Sequence, residues 1–154
     1  MFTVPIDAWY VWIGLTVVGL AAFGAANAMP SAPPPDANGA AETVDAVAAS
    51  QYAAVGEHPT SRAEEARLGS DSLSLRGSGG TAHASFGYGS VVPATEDELE
   101  RVLLGDPPEH VYESPAAFAT AVEAARGADP QWEPVDGLVV RRVSWEGVDV
   151  TLVG

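Results

Sequence analysis

A glycine-rich stretch with a histidine near its centre, RGSGGTAHASFGYG at residues 76–89, is the segment whose residue types most suggest chemistry. Glycine-rich loops bind phosphate where their backbone N–H groups lead into a helix N-terminus, and in nucleotide-binding loops a Lys-Ser/Thr pair follows the glycines. No such pair follows here, and the next residues alternate between apolar and polar as in a strand. The stretch therefore predicts the turn and return strand of a hairpin, not a phosphate site.

The histidines and serines are the next residues that could carry chemistry. His58, His83 and His110 lie 25 and 27 residues apart, which is not the short spacing of metal ligands on one element. No serine lies in a Gly-x-Ser-x-Gly elbow, although a serine or acid brought beside His83 or His110 by the fold stays an open alternative. The chain has no cysteine, which excludes thiolate ligands, thiol nucleophiles and disulfides.

Acidic and aromatic residues give no stronger signal of a site. The stretch TEDELE at 95–100 holds four acids, but a calcium loop of the Asp-x-Asp-x-Asp-Gly type is missing, and acids in a first helical turn complement the helix dipole. Trp132, Trp145 and Tyr112 are core candidates, with Trp132 in the loop DPQWEP as an alternative exposed contact. We therefore predict no catalytic, cofactor-binding or metal-binding residue, no cofactor, and a protein that is not an enzyme.

The charge of the chain is strongly acidic, with 21 Asp and Glu against seven arginines, no lysine and a net charge of −14. Such a charge causes self-repulsion at low ionic strength, and molar salt screens it because the Debye length falls to about 3 Å. Together with abundant Ala, Gly and Val, this composition predicts adaptation to high salt, with an ordinary acidic domain as the alternative. It also argues against a nucleic-acid partner, which requires a basic face.

The N-terminal segment carries no charge for 22 residues, from Ala8 to Met29. A helix of that length is about 33 Å long and could cross a hydrocarbon core of about 30 Å. Three interpretations compete: a secretory signal cleaved after Ala28, a pilin-type stem, and a retained anchor. The segment lacks the basic n-region of a secretory signal. It also lacks the basic residue and the glycine that a pilin-type stem would have just before the apolar run.

The retained anchor is the favoured interpretation. It predicts an N-terminal tail at 1–7 and a transmembrane helix at 8–29 in contact with the lipid bilayer. A Pro/Ala-rich spacer of extended polyproline type at 30–41 follows. The protein is then a single-pass protein of the cell membrane, with its domain extracytoplasmic.

The remainder, 42–154, is predicted to be one small acidic domain. A linker helix at 40–54 presents Val44 and Val47 on one face, which packs on its own domain or, alternatively, on a partner helix. A strand at 67–75 with Leu73 and Leu75 on its apolar face leads through the turn GSGG to a return strand at 81–88.

Two helices and a second hairpin follow. The first helix is predicted to begin with a capping box formed by Thr95 and Glu98 and to stop at Gly105. The second begins at Ser114, followed by proline, and ends at Gly127. The tail DGLVVRRVSWEGVDVTLVG predicts a hairpin in which the adjacent Arg141 and Arg142 lie on opposite faces. The predicted fold class is α+β, an antiparallel sheet of two hairpins packed with two or three helices.

Several strings together suggest a family. They are MFTVPIDAWYVWIGLTVVGLAA, PSAPPPD, GGTAHASFGYG, ESPAAF and RRVSWEGVDVTLVG. The chain resembles a family of uncharacterised haloarchaeal single-span membrane proteins over its whole length. The resemblance implies a place in gene clusters that encode a pilus-type secretion ATPase, its membrane partner and small one-span proteins. It carries no functional residues.

The leading hypothesis is a non-enzymatic, membrane-anchored accessory subunit that presents its acidic domain to partner proteins, among them membrane or pilus-type proteins of a type IV pilus-like or secretion machine. The alternatives are an extracytoplasmic ligand-binding or sensor domain, marked by a pocket at Trp132, Trp145 or Tyr88, and a secreted domain with a cleaved signal peptide. An anchored hydrolase is a third.

Overall fold

A computed structural model describes residues 7–27 and 32–154. The chain divides into two compact units, Met1–Ser31 and Ala32–Gly154. The predicted cleavage after Ala28, the end of the predicted span and the start of the spacer fall within 28–31. Like most of the predicted tail 1–7, they lie outside the described residues.

The described part of the first unit is one helix, α1, over Asp7–Asn27. Across 7–27 and 32–154, none of the helices combines the length and the apolar character that crossing a membrane requires. The predicted transmembrane helix at 8–29 and the single-pass location are therefore wrong. The prediction counted uncharged residues, whereas α1 begins at an aspartate, ends at an asparagine and contains Trp, Tyr, Thr and three glycines, which are much less apolar than Leu or Ile.

The second unit is built from short strands and four helices among its described residues. Its helices are α2 (Ala37–Ala48), α3 (Asp97–Leu104), α4 (Pro108–Val111) and α5 (Pro115–Gly127). Its strands are β1 (Val55–Pro59), β2 (Glu65–Leu68), β3 (Ser72–Gly77), β4 (Gly80–Ser85), β5 (Val92–Pro93), β6 (Glu133–Pro134), β7 (Gly137–Trp145) and β8 (Val148–Val153). The predicted α+β class is the one observed.

The strands form two sheets of four strands each. Sheet A has the order β1-β7-β8-β5, in which β5 runs parallel to β8, and sheet B has the order β4-β3-β2-β6. Both predicted hairpins, β3–β4 and β7–β8, form. They lie in different sheets, so the prediction of one antiparallel sheet of two hairpins is wrong.

Two hydrophobic cores lie on opposite faces of sheet A. In the first, α2 packs between sheet A and the apolar face of sheet B, which includes Leu73 and Leu75. In the second, α3 and α5 cover the other face of sheet A around Phe118. Val44 and Val47 of α2 are buried in the first core, so this helix packs on its own domain, over 37–48 rather than the predicted 40–54.

The ends of the helices match the predicted capping residues in part. The Ser114 hydroxyl accepts a hydrogen bond from the Ala117 N–H at 3.2 Å and caps α5, while Gly105 caps the C-terminus of α3 at φ 130°, where glycine is favoured. Glu96, not Thr95, is the N-cap of α3, and within the described part of the chain no side chain caps that end. The predicted capping box is therefore wrong.

Adjacent arginines tie a helix to each face of sheet A. Nε of Arg141 donates to the carbonyl oxygen of Leu103 in the last turn of α3 at 2.7 Å. Nη1 of Arg142 donates to the carbonyl oxygen of Ala48, at the end of α2, at 2.9 Å. A cation at a helix C-terminus complements the dipole and satisfies a carbonyl that has no helical partner. The prediction that these two side chains point to opposite faces is confirmed.

Candidate binding surface

Sheet B has one apolar face and one polar face because its side chains alternate along each strand. Ala66, Leu73, Leu75 and Ala84 are buried in the first core. The residues that alternate with these along the strands lie on the opposite face, where the register places them beside one another on neighbouring strands. We call this the outer face; it carries Glu65, Arg67, Ser74, Arg76, Thr81 and His83.

Trp132 lies over the outer face, just before β6. Its ring centroid is 4.3 Å from the guanidinium carbon of Arg76 and 5.2 Å from that of Arg67, which are cation–π distances. Arg76 also forms an ion pair with Glu65, through its Nε at 2.7 Å. Arg67 is exposed and has no carboxylate within ion-pair distance among the residues that the structure describes.

The sequence contained a signal for this arrangement that the prediction missed. Residues 69–71, Gly-Ser-Asp, are a turn signal, and the chain does reverse there between β2 and β3. The predicted continuous strand at 67–75 would place Arg67 and Arg76 far apart. The turn places them on neighbouring strands, where one tryptophan contacts both.

Ser74 and His83 meet on the outer face, with Oγ and Nδ1 3.0 Å apart. Ser74 is only 5% exposed, so a substrate cannot reach its hydroxyl as the chain is folded. In the described ranges no hydrogen bond links His83 to an acid of the kind that orients the base of a catalytic triad. The contact is a cross-strand hydrogen bond of the kind that stabilises sheets.

The glycine-rich stretch is the β3–β4 hairpin, as predicted. Its loop is Ser78-Gly79, and a strand, not a helix N-terminus, follows it. A Cβ atom at Gly77 would collide with the carbonyl oxygen of Arg62, and one at Gly79 with that of Pro33. Two of the glycines are thus explained by close approach of backbone segments.

The histidines lie on three separate elements: His58 on β1, His83 on β4 and His110 on α4. Over 7–27 and 32–154, the structure brings together no group of three or more His, Cys, Asp or Glu that could hold a metal ion. The acids of TEDELE occupy the start of α3, with Asp97, Glu98 and Glu100 in its first turn.

Tyr112 packs in the second core, with its ring centroid 5.3 Å from that of Phe118. Its hydroxyl oxygen is buried and has no hydrogen-bond partner among the described residues. Burial, and then the nearby carboxylates of Glu98 and Glu96, raise the pKa of Tyr112 above 10.0. All three effects disfavour the phenolate in the folded protein.

Replacing Tyr112 with phenylalanine should therefore stabilise the domain by about 1 kcal/mol, since it removes an unpaired buried hydroxyl. As the pH rises past 10 the unfolded state releases the Tyr112 proton first, so wild-type stability falls there and the variant loses less. Thermal melts at pH 8 and at about pH 10.5 measure both effects, with the exposed Tyr52→Phe as control. A Tyr112→Phe protein that melts below the wild type would contradict this prediction.

A cleft of about 370 Å³ lies beside the segment that carries Trp132. The C-terminal ends of α3 and α5, the 128–135 segment and β7 line it, with Leu103, Leu104, Pro130, Val135 and Val139 among its apolar residues and Glu100, Asp129 and Glu133 as its acids. This volume is within the range of small-molecule sites. A pocket at Trp132, Trp145 or Tyr88 would have marked the ligand-binding alternative, and these three are not among the described residues that line the cleft.

Comparisons with known proteins give a family and no relative of known activity. No curated protein and no solved structure matches the chain. A family of unknown function, DUF7283, matches residues 3–143, which span both compact units. The chain therefore belongs to the DUF7283 family.

Proposed function

We propose that the unit Ala32–Gly154 is a non-enzymatic interaction module, an accessory subunit that binds partner proteins through the outer face of sheet B. The observation that carries the proposal is the contact of Trp132 with Arg67 and Arg76. Tryptophan and arginine are the residues most enriched where protein interfaces gain their binding energy.

The charge distribution supports this choice of face. The chain has only seven cationic side chains, and two of them flank one half-buried tryptophan. Arg67 offers a planar fork that can bind a carboxylate through two hydrogen bonds. The partner that fits is a protein segment with a carboxylate beside an apolar or aromatic side chain.

The family resemblance supports a choice of partner. It implies gene clusters for a pilus-like secretion machine, so the proposed partners are small proteins of such a machine. The lack of lysine and the net charge of −14 support a haloarchaeal, high-salt setting.

Affinity isolation from native cells in high salt tests the proposal. The wild type and an exposed-aromatic control, Tyr52→Ala, should recover the same proteins, identified by mass spectrometry. Trp132→Ala and Arg67→Gln should recover at least tenfold less of them, because each removes one part of the Arg–Trp contact. Arg67 is exposed, so its replacement leaves the fold intact. Equal recovery with both variants, or no partner for the wild type, would refute the proposal.

Ligand binding is the second candidate function, favoured by the cleft of about 370 Å³. A sensor domain of this kind would bind a small, largely apolar molecule between α3, α5 and β7. A ligand that raises the melting temperature of Trp132→Ala but not of Ala128→Trp, which would fill the cleft, would distinguish this function from the interaction module.

A further inference from the structure

β4 is an edge strand of sheet B: it pairs with β3 on one side, and no other described strand pairs with it on its outward side. The Phe86 N–H donates to the carbonyl oxygen of Asp71 at 2.8 Å, which continues the β3–β4 register by one pair. Hydrogen-bonded pairs alternate with non-bonded pairs in an antiparallel ladder. The backbone N–H and C=O groups of Thr81, His83 and Ser85 therefore point away from β3, toward the open edge.

This edge lacks the features with which proteins prevent edge-to-edge pairing. Such features are charged side chains, proline, bulges and very short strands. β4 has six residues, GTAHAS, without charge or proline, and the side chains of Thr81, His83 and Ser85 are exposed. The opposite edge strand of sheet B, β6, has only two residues and one of them is Pro134.

Charge along the chain indicates which occupant fits this edge. Residues 77–95 are the longest uncharged run after the N-terminal one, and β4 lies within it. Two copies that each carry a net charge of −14 repel each other least along a strand that carries no carboxylate of its own. The Asp45 carboxylate lies just beyond the end of β4, where it accepts hydrogen bonds from the Gly87 and Tyr88 N–H groups. Tyr88, 61% exposed, lies just beyond the strand and is of a residue type enriched in interfaces.

We propose that two copies of this chain pair antiparallel through β4, with a two-fold axis at His83. The axis pairs His83 with its own copy and Thr81 with Ser85 of the second copy, and each pair exchanges two backbone hydrogen bonds. The contact is isologous, as in most soluble dimers. It joins the two copies of sheet B into one continuous sheet of eight strands, with both outer faces on the same side.

This dimer goes beyond the proposed function and does not depend on it. Two Trp132 surfaces on one side of a continuous sheet bind a partner with two copies of the recognised segment more tightly than one surface does. A dimer can also form if the outer face binds nothing, so the two proposals fail independently.

The mass of the full chain in high salt, from light scattering after size exclusion, tests the proposal. The wild type and Ser61→Lys, which adds a charge in an exposed loop, should be dimers. His83→Lys places two like charges opposite each other, and Ser85→Pro removes an outward N–H. Each should weaken the dimer at least tenfold without loss of the folded monomer. A monomeric wild type, or dimers that persist in both variants, would overturn the proposal.

A disulfide tests the register. The chain has no cysteine, so His83→Cys introduces a single thiol. Residues in a hydrogen-bonded antiparallel pair have Cα atoms about 5.5 Å apart, within the usual disulfide range. Mild oxidation should convert His83→Cys, but not Ser61→Cys, to a covalent dimer. Equal crosslinking of both variants, or none of His83→Cys, would contradict this pairing.

Discussion

Replacing Gly77 with alanine is expected to destabilise the domain by about 3 kcal/mol and to lower its melting temperature by roughly 10 °C. Gly77 ends β3, and an added Cβ would collide with the carbonyl oxygen of Arg62 and lie 3.4 Å from Cα of Ala63. Both neighbours are backbone atoms, which move only if the 62–63 segment moves. The segment is held by the Glu64 N–H, which donates to the carbonyl oxygen of Arg76 at 2.8 Å.

Gly127→Ala is the matched control for this prediction. Gly127 is the last residue of α5. Apart from its two adjoining residues and the backbone of α5 itself, none of the described atoms would lie within 4 Å of an added Cβ. Alanine there should be neutral or stabilise the domain by up to about 1 kcal/mol, because it favours helix and reduces unfolded-state entropy. Thermal melts of both variants give the comparison. Equal melting temperatures for the two variants would show that the close approach of the Arg62 backbone is not what requires glycine at position 77.

Elements that depend on nearby residues were predictable from the sequence. The hairpins β3–β4 and β7–β8 follow from alternation on both sides of a short turn, and α5 follows from its serine cap and apolar stripe. Their defining contacts lie within a few residues. The opposite placement of Arg141 and Arg142 is equally local, since neighbouring side chains in a strand point to opposite faces.

Elements that depend on distant partners were not predictable in this way. β5 has two residues and exists as a strand because Val92 and Pro93 lie beside β8. β1, VGEHP, looks like a polar connection, and it forms because β7 pairs with it from residue 55 to residue 59. Splitting the hairpins between two sheets is likewise a result of packing, since α2 contributes to the core on both sheets.

The candidate binding surface combines both kinds of information. The alternation along β3 that places Arg76 on one face of the sheet and Leu73 and Leu75 on the other is local. The approach of Trp132 depends on the pairing of Glu65 and Ala66 with β6, more than 60 residues later in the chain. The sequence could indicate that Trp132 was a loop contact, but not which side chains it contacts.

Lowering the salt concentration is expected to unfold the domain, with loss of folded structure below about 0.5 M NaCl. Asp7 is the only charged residue before Asp36, so Ala32–Gly154 keeps 20 of the 21 acids and all seven arginines, a net charge of −13. The described residues form three ion pairs, at Arg76, Arg101 and Arg126. Most carboxylates of the domain therefore have no cation beside them.

Screening sets how far this repulsion acts. The Debye length is about 30 Å at 0.01 M salt and about 3 Å at 1 M, so at low salt each carboxylate repels others across the whole domain. The three ion pairs do not offset this, because exposed pairs contribute at most about 1 kcal/mol each. Circular dichroism and thermal melts from 0.01 to 3 M NaCl should show a melting temperature that rises steeply with salt.

A charge-reduced variant separates screening from the general effect of salt on apolar burial, which excluded salts also strengthen. Glu57, Glu113 and Asp149 are exposed and belong to none of the ion pairs of the described residues. Changing all three to the corresponding amides should shift the unfolding transition to lower salt and reduce the slope of melting temperature against salt. A general salt effect would leave that slope unchanged. A cooperative melt of the wild type at the same temperature in 0.01 M and 3 M NaCl would show that self-repulsion does not limit the stability of this domain.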